Sequence, residues 1–364
     1  MRWFYVRARA RQPLITGDRV SGSGNLLLSV PWIGGESMRG ALAGALLARG
    51  MREDDPWFQE AIVQERLSIG RLYPMLEDAG NVEPDRDMAL AMPATVLVCK
   101  RDASHGLFSG NRRGTCPKCG GKLKTAEGAV VQGKDRPLAV KPKTYLRTGS
   151  AVDSMRESVS EGNLYSRQVL AEGSRFGGFV RLPRSLDPAR LTAVDDLRVG
   201  TAKRSGFGRV SLTWEPLPHG PFSDNPLAKR LPEQPDAQGR YHVALHLQTP
   251  LVLTDPLLNP RFDLAVDDLR VHGPDLHWGI EGYARRTELL GGWATLINRP
   301  KLHRPALAAG TVIPLSIRGA RKAVRAALQS IEDHGLGEGF GAGHGLVLVN
   351  PPLSFPHAKE ATPS

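Results

Sequence analysis

A chain of 364 residues is long for one compact unit and long enough for two domains of ordinary size. Hydrophobic residues make up 41% of it and charged residues 23%, a balance that excludes a wholly disordered protein. No apolar run approaches the roughly 18 residues that span a bilayer, and arginines interrupt the apolar N-terminus where a signal peptide needs an unbroken apolar stretch. We therefore expect a cytoplasmic protein.

Positive charge is concentrated in two parts of the sequence. The net charge is +11. Residues 1–50 hold 7 Lys and Arg against 2 acidic residues, and residues 101–150 hold 11 against 3. Such local excess attracts a polyanion and makes its binding depend on salt. A basic protein whose charges are simply solvated is the alternative at this stage.

The first predicted elements alternate strands with helices. Residues 3–10 alternate bulky apolar residues with arginines, a pattern that predicts a half-buried strand with a basic outer face. A Gly/Ser-rich connection at 21–24 and an apolar strand over 26–30 follow. Apolar residues at helical spacing predict a helix over 36–48, which Gly50 ends, and a second helix over 56–69.

All three cysteines of the chain lie within residues 93–143, which are rich in Lys, Arg and Gly and predict an insert outside the core. An odd cysteine number argues against a disulfide framework and for a metal. Cys116 and Cys119 can grip one tetrahedral ion, with Cys99 as third ligand. His105 is the first candidate for the fourth ligand and Asp102 the second. A closed Cys₃His site is structural, and zinc is the predicted ion; a ribbon without metal is the alternative.

The second chemical motif is a glycine-rich stretch over residues 200–209, between a strand predicted at 175–182 and another at 209–214. Glycines let a polyanion approach backbone N–H groups, and Lys203, Arg204 and Arg209 would neutralise phosphates. Phe207 can stack on a base or pack into the core. Neither a P-loop nor a dinucleotide fingerprint fits, because a strand and not a helix follows. A simple β-turn remains the alternative.

A second half begins after residues 216–240, whose six prolines predict a linker. A strand over 241–247, an amphipathic helix over 318–334, a glycine-rich stretch over 335–345 and a strand over 346–349 follow. The tripeptide Gly-Phe-Gly occurs at 206–208 and again at 339–341, which indicates a duplicated domain. The second copy holds only His344 as a basic residue, and Glu338 would repel phosphate, so we expect it to pack and not to bind RNA.

Several of these motifs resemble the RAMP superfamily of CRISPR proteins. The stretch Lys203-Arg-Ser-Gly-Phe-Gly-Arg-Val210 resembles its glycine-rich loop, and residues 31–43, with Arg39-Gly-Ala-Leu-Ala43, are similar to its early helix start. Residues 163–165 and 176–179 resemble the strand pairs before the loop. In the second half, 291–293, 308–314 and 335–341 resemble a closing RAMP domain. Arg209 has no equivalent in the second loop.

The resemblance implies an α+β fold of two ferredoxin-like (RAMP/RRM-like) domains in tandem with a small zinc-ribbon-like insert. The domains would span 1–215, with the insert at about 93–143, and 241–352, joined by the linker 216–240 and followed by a tail at 353–364. A Cys-x-x-Cys insert makes the chain most similar to the Csx-ten type of type III-D complexes, which is similar to the Cas-five group that holds the 5′ handle of the guide RNA.

The implied function is a guide-RNA-binding (crRNA-binding) subunit of a type III CRISPR effector complex. Its partners would be the guide RNA, a polymerase-like large subunit and backbone RAMP subunits. The implied RNA contacts are Arg39, Lys203, Arg204, Ser205, Gly206, Phe207, Gly208 and Arg209. The implied metal ligands are Cys99, His105, Cys116 and Cys119, around a structural zinc.

The alternative is a metal-independent endoribonuclease that processes precursor guide RNA, with a histidine moving protons at a 2′-hydroxyl. His242 and His246 would then share one polar face of the strand over 241–247. A solvated outer face explains the same pattern. His272, His277 and His303 are further candidates without partners. A repeated backbone subunit is less favoured, since such subunits usually carry one RAMP domain.

Overall fold

The structure is a computed structural model that describes residues 1–17, 26–76, 88–110, 114–132, 136–153, 158–294, 299–353 and 355. At 150–153, 158–165, 204, 293 and 294 it describes the backbone alone. The predicted connection at 21–24 and nearly all of the predicted tail lie outside these ranges. Within the described ranges, no helix has the length and apolar character required to cross a membrane.

The fold is mixed α+β, as the sequence predicts, with many strands and few helices. The strands up to residue 217 are β1 (Arg2–Ala10), β2 (Leu26–Leu27), β3 (Ser68–Ile69), β4 (Tyr73–Pro74), β5 (Ala89–Ala91), β6 (Val96–Cys99), β7 (Leu107–Ser109), β8 (Leu123–Thr125), β9 (Ala129–Gln132), β10 (Pro137–Val140), β11 (Thr144–Asp153), β12 (Ser158–Leu170), β13 (Arg175–Leu182), β14 (Asp196–Arg198) and β15 (Arg209–Leu217). The helices of this part are α1 (Gly35–Ala48), α2 (Pro56–Phe58) and α3 (Pro188–Thr192).

The remaining strands are β16 (Arg240–Leu247), β17 (Leu253–Thr254), β18 (Pro260–Arg261), β19 (His277–Ile280), β20 (Thr287–Leu290), β21 (Trp293–Ala294), β22 (Arg299–Pro300), β23 (Arg304–Leu307), β24 (Val312–Arg318) and β25 (Val347–Val349). The helices of this part are α4 (Leu227–Arg230), α5 (Val266–Arg270) and α6 (Arg321–His334).

The N-terminal sheet has the strand order β14-β15-β1-β13-β3, and β4 also pairs with β13. Strand β1 is central, with antiparallel neighbours on both sides. Its residues Phe4 and Val6 face α1. On this helix, Met38 and Leu42 are four positions apart, lie on the same face and are buried. This packing fixes which face of β1 carries the arginines.

The C-terminal sheet has the strand order β19-β24-β16-β25, with α6 on one face. The helix buries Val324, Leu328 and Ile331, which recur at three- and four-residue spacing, against apolar residues of the sheet such as Leu245 and Leu315. The predicted strand over 241–247 and the predicted helix over 318–334 are both present, the helix starting three residues later.

A third cluster of buried residues lies between the two sheets. It combines the outer face of the N-terminal sheet, including Trp3 and Phe179, with Leu348 of β25 and with the small sheet β10-β9-β5. Val130 and Val131 of β9 are fully buried there. Residues 93–143, expected to lie outside the core, thus contribute to it through β9 and through Val96 and Leu107 of β6 and β7, while β6–β8 also enclose a small core of their own.

The proline-rich segment 216–240 packs against the C-terminal half along part of its length. Its Leu227 and Leu231 join the second core. Arg230 and Glu332 of α6 form an ion pair of 2.8 Å whose side chains are 1% and 0% exposed. Predicted from composition as a linker, this segment is anchored by an ion pair that composition does not reveal.

The helix predicted over 56–69 is much shorter in the structure. Helix α2 ends at Phe58 and continues as one wide turn over Gln59–Val63. Glu65 then adopts a left-handed backbone conformation with φ 58°, which ends the helical path. The chain turns into β3, and this short strand pairs with β13 at Val180 and Arg181.

Candidate nucleic-acid interface and metal centre

Two arginines lie side by side at one end of the N-terminal sheet. Arg9 of β1 pairs directly with Arg175 of β13 in the antiparallel register. No carboxylate among the described residues pairs with either side chain, whereas Arg7, two residues along β1, is neutralised by Glu215 at 3.1 Å. Directly opposed residues have Cβ atoms about 5 Å apart, and like charges there repel. A bound anion would relieve this repulsion.

The first glycine-rich loop, residues 200–209, adjoins this pair. The N–H of Arg11 donates to the carbonyl of Arg209 at 2.8 Å, and the N–H of Gly208 donates to that of Pro13 at 3.0 Å. We call Arg9, Arg11, Arg175 and Arg209 the basic sheet end. Arg209 is paired with Asp196 at 2.7 Å, a contact that raises the pKa of Arg209. The charge of Arg209 is thus partly balanced by Asp196 and is less available to a phosphate than the sequence predicts.

The remaining predicted contacts of this loop differ from one another. Lys203 and Ser205 are exposed, and the side chain of Arg204 lies outside the description. Gly206 has a φ of 82° with open space where a Cβ would project, which fits close approach by a ligand. At Gly208 a Cβ would lie 2.4 Å from the carbonyl oxygen of Val199, so packing within the chain already requires this glycine.

Phe207 is buried against Ile15 and Val169, so in this structure it packs within the chain, the second of its two predicted roles. It also ties the loop to the hairpin β11–β12, because the guanidinium of Arg147 lies 4.8 Å from its ring centroid. Tyr145, in the same hairpin, is 44% exposed. Sequence reasoning missed this exposed aromatic residue, whose only signal was the basic composition around it.

Arg39, the remaining predicted RNA contact, lies elsewhere. It forms an ion pair with Glu65 at 2.7 Å. A Cβ on Gly341 would lie 2.8 Å from its Nη1 atom, so Arg39 packs against the second glycine-rich loop and not the first. That prediction therefore does not fit the basic sheet end.

The second glycine-rich loop, residues 335–345, packs against the first half of the chain, as its lack of basic residues predicts. A Cβ on Gly343 would lie 1.9 Å from the carbonyl oxygen of Ile69 in β3. Phe340 stacks on the buried guanidinium of Arg181 at 4.3 Å, and burial lowers the pKa of Arg181 to about 9. The loop thus contributes to the junction between the halves.

The structure brings together the four predicted metal ligands, Cys99, His105, Cys116 and Cys119, with all ligand atoms within 4.8 Å of one another. Cys99 ends β6, His105 lies in the turn that follows, and the other two cysteines form a knuckle before β8. In that knuckle the N–H of Gly120 donates to the carbonyl of Cys116 at 2.8 Å. Two backbone turns thus supply two ligands each.

Two of the distances between ligand atoms fit a tetrahedral ion. Cys99 Sγ and Cys119 Sγ are 3.6 Å apart, and Cys116 Sγ is 3.5 Å from His105 Nδ1. Zinc–ligand bonds of about 2.3 Å to sulfur and about 2.0 Å to nitrogen place such ligand atoms about 3.8 Å and 3.5 Å apart. A disulfide would need sulfurs at about 2.0 Å. The Cys₃His cluster can therefore bind a metal.

The backbone around Cys99 favours the thiolate that a bound cation needs. The backbone N–H of Asp102 donates to the Cys99 sulfur, and with neighbouring donors it lowers the pKa of this thiol to about 6, so that the thiolate forms readily. The Asp102 carboxylate lies 3.6 Å from Nε2 of His105. The cluster contains His105 and not Asp102, which favours His105 as the fourth ligand.

The two histidines of the nuclease alternative are in different surroundings. His242 is exposed and lies between Asp236 at 2.8 Å and Glu281 at 3.1 Å, which raise its pKa. His246 is buried, and desolvation lowers its pKa to about 3. The predicted polar face is thus exposed only at its His242 end. Strand β5 covers the His246 end, where the N–H of Ala91 donates to the side chain of Gln248.

The other candidate histidines gain no catalytic partner in the described structure. Nδ1 of His272 is 2.9 Å from the Ser330 hydroxyl, and burial lowers the pKa of His272. His277 is exposed and lines a shallow depression with Arg240 and Arg318. His303 is exposed. None of them lies within hydrogen-bonding distance of His242 or His246.

No family model matches the sequence, and no curated protein matches it. Solved structures do match it. A chain of the type III-B Cmr-beta complex bound to cognate target RNA and AMPPnP is 12% identical, with 90% of this chain and 88% of that chain covered and a TM-score of 0.45. A RAMP protein binding different RNA substrates is 8% identical (96% and 99% covered, TM-score 0.39). The CRISPR-associated protein Cas6 is also 8% identical (95% and 98% covered, TM-score 0.36).

Proposed function

We propose that this chain is a cytoplasmic guide-RNA-binding subunit of a type III CRISPR effector complex. It would be a RAMP-superfamily protein of the Csx-ten type that holds the 5′ handle of the guide RNA and contacts the large polymerase-like subunit and backbone RAMP subunits. The observation that carries the proposal is the opposed pair Arg9–Arg175, which lies beside the glycine-rich loop and has no carboxylate partner among the described residues. Two guanidinium groups in this position favour a phosphate backbone as ligand.

The sheet orders support the proposed pair of ferredoxin-like domains, at 1–215 and 241–352, joined by 216–240. In the first, β1, α1, β3 with β4, β13, α3 and β15 follow a strand-helix-strand-strand-helix-strand order. In the second, β16, α5, β19, β24, α6 and β25 repeat it. In both sheets the fourth strand pairs with the first, the first with the third and the third with the second. This repetition supports the duplication that the Gly-Phe-Gly repeat suggests.

The proposed metal is a structural zinc. The donor set has three sulfurs and one imidazole nitrogen, which is typical of zinc sites, and its four ligands leave no position open for a substrate. Bound zinc would supply the cohesion that the small core of Leu97, Phe108 and Leu123 cannot provide alone. We place this ribbon at the centre of the insert at about 93–143.

Binding and cleavage can be separated in one assay. Purified chain is titrated with an end-labelled guide RNA that carries its 5′ handle, in EDTA, and the RNA is then resolved on a denaturing gel. We expect a retained and intact RNA, because His242 and His246 do not converge on one surface. Cleavage that is lost in His242→Ala would reverse this assignment. Equal affinity for handle-bearing RNA and for heparin would contradict guide recognition.

A further inference from the structure

Two adjacent leucines project from a tight turn in the second half of the chain. The turn joins β17 to β18, and at its tip Leu257 is 81% exposed and Leu258 79% exposed. We call this pair the leucine tip. Two large aliphatic side chains exposed together in this way gain almost nothing from the fold of their own chain.

The leucine tip is held rigidly. The Asp255 carboxylate accepts hydrogen bonds from the N–H groups of Leu257 and Asn259, both at 2.8 Å, and from the Asn259 side-chain amide at 3.0 Å. The backbone of Asp255 adds two further bonds of 2.9 Å, to Leu258 and Asn259. Pro256 fixes one more backbone angle. The leucines are thus presented in one conformation, which lowers the entropic cost of docking.

The position of Leu258 is strained. Its φ is 65°, in the left-handed region that glycine and asparagine adopt readily and that a large side chain adopts at a cost. Because the Leu258 side chain is exposed, no burial within this chain compensates for the strain. A contact with another molecule would compensate for this strain.

The surroundings of the tip do not suit a polyanion. Residues 254–268 hold four aspartates and one arginine, a net charge of −3 in a chain of net charge +11. Asp263, Asp267 and Asp268 are paired with Arg285, Arg270 and Arg261, so these four aspartates and three arginines leave a net charge of −1 in the rim around the tip. Leucine offers neither a ring for base stacking nor a charge for phosphate. An apolar tip with an acidic rim is complementary to an apolar pocket with basic residues around it.

We propose that the leucine tip docks into an apolar, basic-rimmed pocket on another protein subunit of the effector complex. The inference rests on the proposed function for the existence of that complex, but it assigns a separate surface, in the other half of the chain from the basic sheet end. Leu257 fills the pocket, and Leu258 contributes the remaining aliphatic surface. The RNA and the protein partner thus contact different parts of the molecule.

The test uses the double variant Leu257→Ser/Leu258→Asn in the full-length chain. Asparagine suits the φ of residue 258, so the variant should melt no lower than the parent. The variant and parent are each co-expressed with the guide RNA and the protein subunits of a type III complex from the same host. We expect the variant's affinity for the protein subunits to fall by at least about tenfold, with guide-RNA affinity within twofold of the parent. Val63→Ser, which removes a 55% exposed apolar side chain in the first half, is the matched control and should change neither.

A photo-crosslinking residue at position 257 identifies the occupant. Cross-links to a peptide of another protein subunit support the proposal. Cross-links to RNA or to a second copy of the chain overturn it, as does a double variant that assembles as tightly as the parent. If the parent chain assembles with the subunits but binds no guide RNA, the proposed function is refuted, whereas the docking role of the leucine tip is still supported. If the chain binds guide RNA but no protein subunit, the docking role of the leucine tip is refuted, whereas RNA binding is still supported.

Discussion

Replacing Arg9 and Arg175 with alanine should weaken RNA binding and change its salt dependence by a calculable amount. Each of the two cations has no carboxylate partner in the described structure and can neutralise one phosphate. For single-stranded nucleic acid, each such contact adds about 0.7 to the slope of log K against log salt. Losing both should reduce the slope by about 1.4. Between 50 and 200 mM NaCl, the advantage of the parent over the variant should therefore shrink about sevenfold.

Fluorescence anisotropy with a handle-bearing RNA at four salt concentrations measures this slope directly. The control is Lys322→Ala/Arg325→Ala, which removes the same charge from exposed positions of α6. Thermal unfolding gives an independent readout: because the two arginines repel each other, the variant should be at least as stable as the parent without RNA. An unchanged salt slope would refute the reasoning, and so would an equal change in the control.

Three further predictions concern the metal, the junction and pH. Replacing Cys116 and Cys119 with Ser should remove one zinc per chain by elemental analysis and expose residues 99–125 to limited proteolysis; equal protease resistance would contradict a structural metal. Glu332→Gln should leave the Arg230 charge buried without compensation and lower the free energy of unfolding by about 3 kcal/mol or more, as measured in urea; a loss below about 1 kcal/mol would show that the pair is dispensable. Burial lowers the pKa of His246 to about 3, so the unfolded state binds a proton first as the pH falls. Stability should decrease by about 2 kcal/mol more between pH 7 and pH 5 in the parent than in His246→Gln, and equal losses would contradict the buried neutral imidazole.

Local sequence patterns predicted several elements closely, because they depend on residues near one another in the chain. The predicted strand at 175–182 coincides with β13, and the predicted helix at 36–48 differs from α1 by one residue at its start. The metal cluster was also predictable, because two cysteines at Cys-x-x-Cys spacing can bind the same ion. In each case the sequence period or spacing alone limits the backbone to one arrangement.

Long-range pairings could not be predicted in this way. Arg9 and Arg175 are far apart in sequence, and only the register of β1 against β13 places them together. The same applies to the ion pair that neutralises Arg209 and to the burial of His246 beneath β5. A strand's period tells which residues share a face but not what covers that face. For that reason the sequence analysis overestimated the free charge of Arg209 and did not identify Tyr145 as an exposed aromatic residue near the loop.

Composition was the least reliable signal. The proline-rich segment 216–240 resembles a linker, yet Leu227 and Leu231 are buried and Arg230 is locked to Glu332. Residues 129–131 belong to the segment 93–143 that was predicted to lie outside the core, yet β9 packs between the two sheets. A few well-placed apolar side chains suffice for burial when neighbouring surfaces are already present.

Ultraviolet cross-linking of the chain to its guide RNA, with mass spectrometry of the attached peptides, tests the central claim most directly. The account predicts cross-links in the peptides that contain Arg9, Arg175 and the loop at 200–209, with Tyr145 of the adjacent hairpin also attached to a base. Cross-links confined to α6 or to the leucine tip, or a chain isolated from its host without any guide RNA, would contradict it.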